Sequence, residues 1–350
     1  MLANDIRSIP LTALLEWTTE ILEKVGLSRI DAHIVADSLR FAESRGISTH
    51  GFLRLNTYLK RISHGGINPQ GTNSIVADLG ALVIVDSGHG PGASTAHHSA
   101  ALAIERAEKN GIGCVIARNA NHFGCSAYFT NQIADAGYFG LVVCNTESVM
   151  CSPFGGRPIL GTNPIAMAAP LAYENRAQLD MATTTVSQGK LILAEQNGQK
   201  IPDNWAVDDQ GKKTTSPSDG LRGALLPAGG VKGFGLAFSI DAMLALSGAQ
   251  TSHEVSPLDG DPQTHQQLGQ LFIAIKANAV QSLEEYRNHV EGLITAIHSS
   301  GIDESDQIPL APGEPEILKE LTSNGELTLS PRLAEELQKI ATEFQFTLPY

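Results

Sequence analysis

Three side chains in the stretch "SRGISTHGFLRLNTYLKRI" stand four apart: His50, Arg54 and Tyr58. If a helix begins near His50, an imidazole, a guanidinium and a phenol line one wall of it. The guanidinium fork donates two parallel hydrogen bonds, the geometry a carboxylate accepts. An imidazole titrates close to neutral pH and can pass a proton. A helix start at Ser48 or Thr49 adds favourable potential for an anion. The same residues suit an ordinary solvated helix face, so the spacing alone leaves both readings open.

Four more groups carry possible chemistry. His122, in "ARNANHFGCSAYF", falls in a strand-to-helix loop near a strand's carboxyl end, beside the amides of Asn119 and Asn121. Thr162 and Asn163 make a polar turn before a proline. Asp180 lies in an apolar strand and is followed by three threonines, where it must be hydrogen-bonded, orient a partner or shift its pKa. Lys232 stands among Gly229, Gly230, Gly233 and Gly235 at the start of an apolar helix, where backbone N–H groups and one ammonium suit a phosphate. An Asx cap and a flexible turn account equally well for the last two.

The stretch "VIVDSGHGPGAS" looks like a nucleotide fingerprint, with Gly88, Gly90 and Ala93 in dinucleotide spacing and Asp86 as in a methyltransferase loop. Both motifs want an acid at the end of the following strand. That strand ends instead in Arg118 and Asn119, and Pro91 removes one N–H from the would-be cradle. A glycine-rich turn is the expectation, with an S-adenosylmethionine-dependent methyltransferase as the rival from another class.

Composition narrows the field. The 350 residues are 42% hydrophobic and 17% charged, with net charge −13 and no Lys/Arg cluster, which excludes a nucleic-acid binder. The four cysteines form no CxxC pair and read as reduced buried thiols. No Cys/His spacing fits zinc, so no metal is expected. The N-terminus lacks a basic start and an apolar core, and Asp241 interrupts the longest apolar run. A cytoplasmic protein outside the membrane is expected.

The elements that must position these groups follow from periodicity. Leu11, Leu14, Leu15, Ile21, Leu22 and Val25 predict a helix ended by Gly26. Ser28 with Asp31 starts the next, and a third runs from about His50 to Gly65. From residue 74, strands ("ALVIVD", "GCVIARN", "FGLVVCNT") alternate with helices ("STAHHSAALAIERAEKN", "AYFTNQIADAG"), which predicts an α/β layer with parallel pairs. Short strands follow at "PIAMAAP" and "AQLDMAT". Residues 196–222 read as a polar excursion, "KGFGLAFSIDAMLALSGA" as a buried helix, "GQLFIAIKA" as a strand, "SLEEYRNHVEGLITAIHSS" as a helix, and 331–345 as the last helix.

Six ordered motifs, "STHGFLRLNTYLKRI", "RNANHFG", "GTNPIAMAAP", "LDMATTTVSQGK", "LLPAGGVKGFGL" and "APGEP", resemble the malate/L-lactate dehydrogenase type-2 family over residues 10–345. That family includes malate, sulfolactate and ureidoglycolate dehydrogenases, diketogulonate reductase and Δ1-piperideine-2-carboxylate reductase. The resemblance implies a non-Rossmann NAD(P)-binding α/β fold of the L-sulfolactate dehydrogenase-like type: a mixed sheet with flanking helices plus an N-terminal helical region. It also implies a homodimer and an enzyme interconverting a 2-hydroxy acid and its 2-oxo acid with NAD or NADP. Reduction of a cyclic imine carboxylate is the close alternative.

Motif matching assigns cofactor contacts to His122, Thr146, Asp180, Met181, Ala182, Thr183, Thr184, Lys232, Gly313, Glu314 and Pro315. It assigns substrate contacts to Ser48, Arg54, Tyr58, Thr162 and Asn163. His50 and His122 are the acid/base candidates, His50 ranked first, with Asp180 as orienting carboxylate. "SPSD" stands where the family usually has a "DP" pair, a departure confined to one loop. The expected division is a helical region (1–72 plus 316–350), an α/β domain (73–120 plus 250–310) and a cofactor-binding domain (121–249).

Overall fold

The computed structural model describes residues 8–172, 176–301 and 308–349; residues 1–7, where a targeting signal was sought, and 302–307, within the expected α/β domain, lie outside them. The chain opens with β1 (Ser8–Pro10), α1 (Leu11–Lys24) and α2 (Arg29–Ser44). Leu11, Leu14, Ile21 and Leu22 are buried on one face of α1, as their spacing predicts. The Ser28 hydroxyl accepts the Asp31 N–H at 3.1 Å and caps α2, a contact worth about 1 kcal/mol.

The third helix differs from the expectation. α3 spans Leu55–His64, and the chain before it makes two 3-10 turns, Ser48–His50 and Phe52–Arg54, broken by an extended Gly51. The cause is Glu43, buried on α2. Its carboxylate accepts the Phe52 N–H at 3.0 Å and lies where a Cβ at residue 51 would collide with it. His50, Arg54 and Tyr58 therefore do not form a ladder on one helix.

Then come β2 (Ser74–Asp78), β3 (Leu82–Asp86), α4 (Gly92–Asn110), β4 (Ile112–Ala120), α5 (Ser126–Asp135) and β5 (Tyr138–Cys144). The next segment carries β6 (Met150–Ser152), β7 (Gly155–Leu160), β8 (Ile165–Ala168), β9 (Gln178–Met181), α6 (Gln188–Gln196), β10 (Ala206–Val207), β11 (Lys213–Thr214), α7 (Pro217–Arg222), β12 (Ala224–Leu225) and α8 (Val231–Leu244). The chain ends with β13 (Leu268–Lys276), α9 (Leu283–His298), α10 (Glu314–Ser323), β14 (Glu326–Thr328) and α11 (Pro331–Phe344).

One seven-stranded sheet has the order β2-β3-β4-β13-β5-β8-β9. Within it only β3–β4 is parallel; the other neighbours are antiparallel. The alternation of strands and helices predicts more parallel pairs than this. β13 arrives from far along the chain and inserts between β4 and β5, with Ile273 opposite Cys114 on one side and Leu141 on the other. A strand supplied from a distance leaves no mark in local periodicity. The sheet draws strands from all three segments 73–120, 121–249 and 250–310.

The segment 196–222, expected as an excursion, is ordered. β10, β11 and β12 join β6 and β7 in a five-stranded sheet with its own core of Val186, Leu191, Ile201, Ala206 and Leu225. Two-residue strands are too short to display alternation, so the pattern was invisible.

α1, α2, α3 and α11 share a core with α4, α5 and one face of the large sheet, and β1 pairs with β14. The opposite face packs on α8 through Ile84, Ile116, Val143, Leu271, Ile240 and Leu244. α8 is not the fully buried helix its sequence predicts. Val231 and Phe238 are each 62% exposed, and Leu246, one turn beyond, is 72% exposed. A chain alone covers only one side of this apolar helix.

Candidate functional site

The β4–α5 loop and the Ser48–Arg54 turns meet at two imidazoles. The rings of His50 and His122 stack with centroids 5.6 Å apart and planes 24° from parallel. Tyr58, buried on α3, places its hydroxyl 2.7 Å from His122 Nδ1. The Gly124 N–H also donates to that nitrogen at 3.3 Å, so Nδ1 accepts and the neutral ring carries its proton on Nε2. Gln266 fixes the loop by accepting the His122 N–H at 3.0 Å. His50 Nδ1 lies 3.0 Å from the Thr49 hydroxyl, which leaves its tautomer open.

Arg54 donates from Nε to the Thr49 carbonyl at 2.8 Å and from Nη1 to Asp259 at 3.2 Å. Ser48 bonds Glu43 instead of facing outward from a helix start. Burial, then the Arg54 charge, brings His50 down to about 4. The same burial, with His50 and Arg54 adding to it, holds His122 well below the usual histidine range. Both rings are neutral at pH 7. Burial raises the Tyr58 phenol, so it stays protonated.

The loop that carries His122 ends at the start of α5, and there it meets Asp180. The Asp180 carboxylate accepts the Ala127 N–H at 2.8 Å and the Cys125 thiol at 3.1 Å. Its hydrogen bonds run to α5 rather than to either imidazole, so it is not placed as their orienting carboxylate. Burial raises its pKa, opposed by these bonds, although the residue keeps an open edge toward solvent. That edge faces a cleft of about 340 Å³ lined by Arg45, Gln178, Asp180, Gly313, Pro315 and Glu316 among others. Arg45, almost fully buried, donates to Gln178 at 2.7 Å and pairs with Glu320 at 2.9 Å. Glu314 is turned away, bonded to His298 and the Ala311 N–H.

A third unit joins the threonines to the start of α8. The Thr162 N–H donates to the Thr146 hydroxyl at 2.9 Å, Thr183 donates to the Thr162 carbonyl at 2.8 Å, and the Ala228 N–H donates to the Thr183 carbonyl at 2.9 Å. Gly233 lies so close to that carbonyl that no side chain fits. Gly229 and Gly230 take left-handed φ values of 60° and 63°, and the space beyond Gly230 is open. Lys232 is exposed beside them. Backbone N–H groups at a helix start, with one ammonium, fit a diphosphate. Asn163 is fully buried with its amide committed to Thr146, Ser252 and Ala237, and the Thr184 hydroxyl is committed to Val186. Both shape the site from behind. Met181 and Ala182 lie half-buried where β9 runs into the threonines.

The glycine stretch is a packing device. Its backbone runs against Gly71, and a Cβ at Gly90 or Gly92 would strike backbone oxygens of Gly71 or Asn121. Asp86 is occupied by Arg118 at 3.0 Å, Asn119 at 2.7 Å and the Gly88 N–H at 3.0 Å. No cradle remains there for a methyltransferase cofactor.

Sequence reasoning missed Glu43, Gln266 and Asp259. Only Glu43 left a signal: Val35, Leu39 and Glu43 fall four apart, which puts an acid on the apolar face of α2.

The family described as malate/L-lactate dehydrogenase matches residues 9–338. L-sulfolactate dehydrogenase of Methanocaldococcus jannaschii is 36% identical over 325 residues, 93% of each chain. Ureidoglycolate dehydrogenase (NAD(+)) of Escherichia coli K12 is 37% identical over 292 residues, 83% of this chain and 80% of that one. The solved structure of the M. jannaschii sulfolactate dehydrogenase superposes with a TM-score of 0.90 at 32% identity, covering 98% of both chains. Fold, ordered motifs and near full-length similarity make this chain a member of the malate/L-lactate dehydrogenase family, and so an oxidoreductase.

Proposed function

We propose that the protein interconverts a small 2-hydroxy acid and its 2-oxo acid with NAD or NADP. The observation that carries this reading is the half-buried, neutral imidazole pair beside Arg54, within a family of hydroxy-acid dehydrogenases. The cofactor, when bound, supplies or accepts the hydride. Lys232 and the N–H groups at the start of α8 would hold its diphosphate, with Thr146, Thr183, Asp180, Gly313 and Pro315 along its course. Arg54 binds the substrate carboxylate. His122, oriented through Nδ1 by Tyr58 and Gly124, holds at Nε2 the proton exchanged with the substrate oxygen. This reverses the order expected from sequence, because His122 is the ring whose orientation is fixed from two sides. His50, stacked on it, excludes water and tunes its charge.

The apolar outer side of α8, with Val231 and Phe238 exposed, supports a homodimer in which a second copy covers it. The unpaired cysteines fit a reducing compartment, the cytoplasm. Among the described residues, no helix is long and apolar enough to cross a membrane.

The test is oxidation of NADH and of NADPH with pyruvate, oxaloacetate, sulfopyruvate and piperideine-2-carboxylate. Turnover of a 2-oxo acid supports the reading. Turnover of the cyclic imine alone moves the reaction from C=O to C=N, and cofactor binding without any turnover overturns the enzymatic reading.

A further inference from the structure

The glycine-rich turn 87–92 sends several of its contacts to the loop that carries His122. The Asn121 side chain donates from Nδ2 to the carbonyls of His89 and Gly90, both at 2.9 Å. The Ser87 hydroxyl donates to the Asn119 carbonyl. Gly92, the first residue of α4, lies so close to the carbonyls of Asn121 and His122 that a Cβ there would strike both. From the other side, two almost fully buried glutamines take the peptide that joins Asn121 to His122. Gln270, on β13, donates from Nε2 to the Asn121 carbonyl at 2.9 Å, and Gln266 accepts the His122 N–H at 3.0 Å. The C=O and N–H of a trans peptide point in opposite directions, so this one is held at both edges. Burying an amide costs free energy that an apolar side chain there would not, and both amides are directed to the same peptide.

The turn and the glutamines are also joined to each other. His89, in left-handed backbone with φ 58°, stacks its ring on that of His265, the neighbour of Gln266, with centroids 3.8 Å apart and planes 7° from parallel. His265 Nδ1 lies 3.1 Å from the Gly66 carbonyl, and the Gly66 N–H donates to the Pro262 carbonyl at 3.1 Å. Arg61, almost fully buried on α3, donates to the carbonyls of Leu258 at 3.1 Å, Asp261 at 3.4 Å and Thr264. The loop through residues 257–266 is thereby fastened to α3 and to the glycine-rich turn.

We propose that the glycine-rich turn, Gln266 and Gln270 form a mount that sets the direction of the His122 ring, and that the His89–His265 stack fastens its two halves. Asn121, Gln266, Gln270 and His265 are positioning residues that act on the reaction through His122. The proposal rests on the reading of His122 as the group that exchanges the proton. A rotation of this peptide moves Nε2 relative to the substrate oxygen and draws Nδ1 away from the Tyr58 hydroxyl and the Gly124 N–H that fix its tautomer. A misplacement of about 1 Å is worth about a hundredfold in rate.

The experiment measures kcat and KM of full-length variants with whichever of pyruvate, oxaloacetate and sulfopyruvate the parent turns over fastest. Gln266→Met keeps the size and loses the acceptor; it should lower kcat by about ten- to a hundredfold and change KM by less than about twofold. His265→Ala, at a half-buried position, should lower kcat by at least about threefold, and His265→Phe, which restores a stacking ring, should recover most of it. A purely structural role would lower the melting temperature and leave kcat of the folded protein unchanged. A kcat within about twofold of the parent in folded His265→Ala, or a loss that His265→Phe does not recover, overturns the proposal. If His122→Asn leaves kcat unchanged, or no 2-oxo acid is turned over, the reading of His122 fails separately. The mount is then read by ¹⁵N NMR of the His122 ring: a single Nε2–H tautomer in the parent and in His265→Phe, mixed tautomers in His265→Ala, support it. One unmixed tautomer in all three overturns it.

Discussion

The Tyr58 hydroxyl and His122 Nδ1 stand 2.7 Å apart, although 64 residues separate them in the chain. Tyr58 belongs to α3 and His122 to the loop after β4, so the contact ties the helical region to the sheet. Because the Gly124 N–H also points at Nδ1, that nitrogen is an acceptor and Nε2 is the free working end. Among the described residues, His50 has only Thr49 beside its Nδ1.

This asymmetry separates the two histidines in kinetics. His122→Asn should lower kcat by about 10²–10⁴-fold, the usual worth of a general acid, and His50→Asn by distinctly less. Tyr58→Phe should cost about two- to tenfold, one hydrogen bond, with KM little changed. Steady-state rates of the three variants decide it; an equal or larger loss at His50 restores the order expected from sequence.

Substrate binding should draw in a proton. Arg54 helps to depress both imidazoles, and His50 depresses His122 further, so the pair resists taking up two charges. A carboxylate bound to Arg54 cancels that repulsion and adds attraction, which raises the imidazole pKa. Titration of oxamate into the cofactor-loaded protein, in buffers of different ionisation enthalpy, should report net proton uptake near pH 6. Proton release, or none, contradicts the pairing of Arg54 with the substrate.

Much of this was legible in the sequence, and the gaps have physical causes. α1, α2 and α11 follow from apolar spacing and caps because those signals are local. The reach of Arg54 to Asp259 and of His122 to Gln266 is not local: both partners lie on a loop about 200 and 140 residues away that Arg61 pins by backbone bonds. The turns at Ser48–Arg54 carry helical spacing in sequence, but their geometry answers to Glu43, on another element. β13, a distant strand between β4 and β5, shows the same limit for topology.

Glu43 should prove to be a positioning residue. Glu43→Ala leaves the Phe52 N–H buried and unpaired, at a cost of about 1–3 kcal/mol. The expected result is a lower melting temperature and a raised KM, since Arg54 follows that turn. Glu43→Gln, which keeps an acceptor for Phe52, should recover most of both. A melting temperature that falls while KM stays fixed would limit Glu43 to stability.

The exposed side of α8 makes a prediction about mass. Phe238 is 62% exposed on a helix whose sequence is largely apolar. Phe238→Glu places a charge at the centre of that face and should convert a dimer into a monomer in sedimentation experiments. An unchanged dimer moves the interface elsewhere.

Acid stability tests the imidazole environment without any substrate. Folding lowers the His50 pKa from 6.5 to about 4 and lowers that of His122 as well. Depressed histidine values mean that the unfolded chain binds protons first as pH falls, so the stabilisation is present above about pH 6.5 and is lost toward pH 4. The unfolding free energy from urea titration should therefore drop between pH 7 and pH 5, by on the order of 1–2 kcal/mol per group. His50→Gln removes one of the two protonations from this window, so its stability should fall less steeply over the same range. A variant curve parallel to that of the parent would show that His50 titrates alike in both states, and that the stacked pair does not stand in the enclosed, Arg54-facing setting on which the proton-transfer role depends.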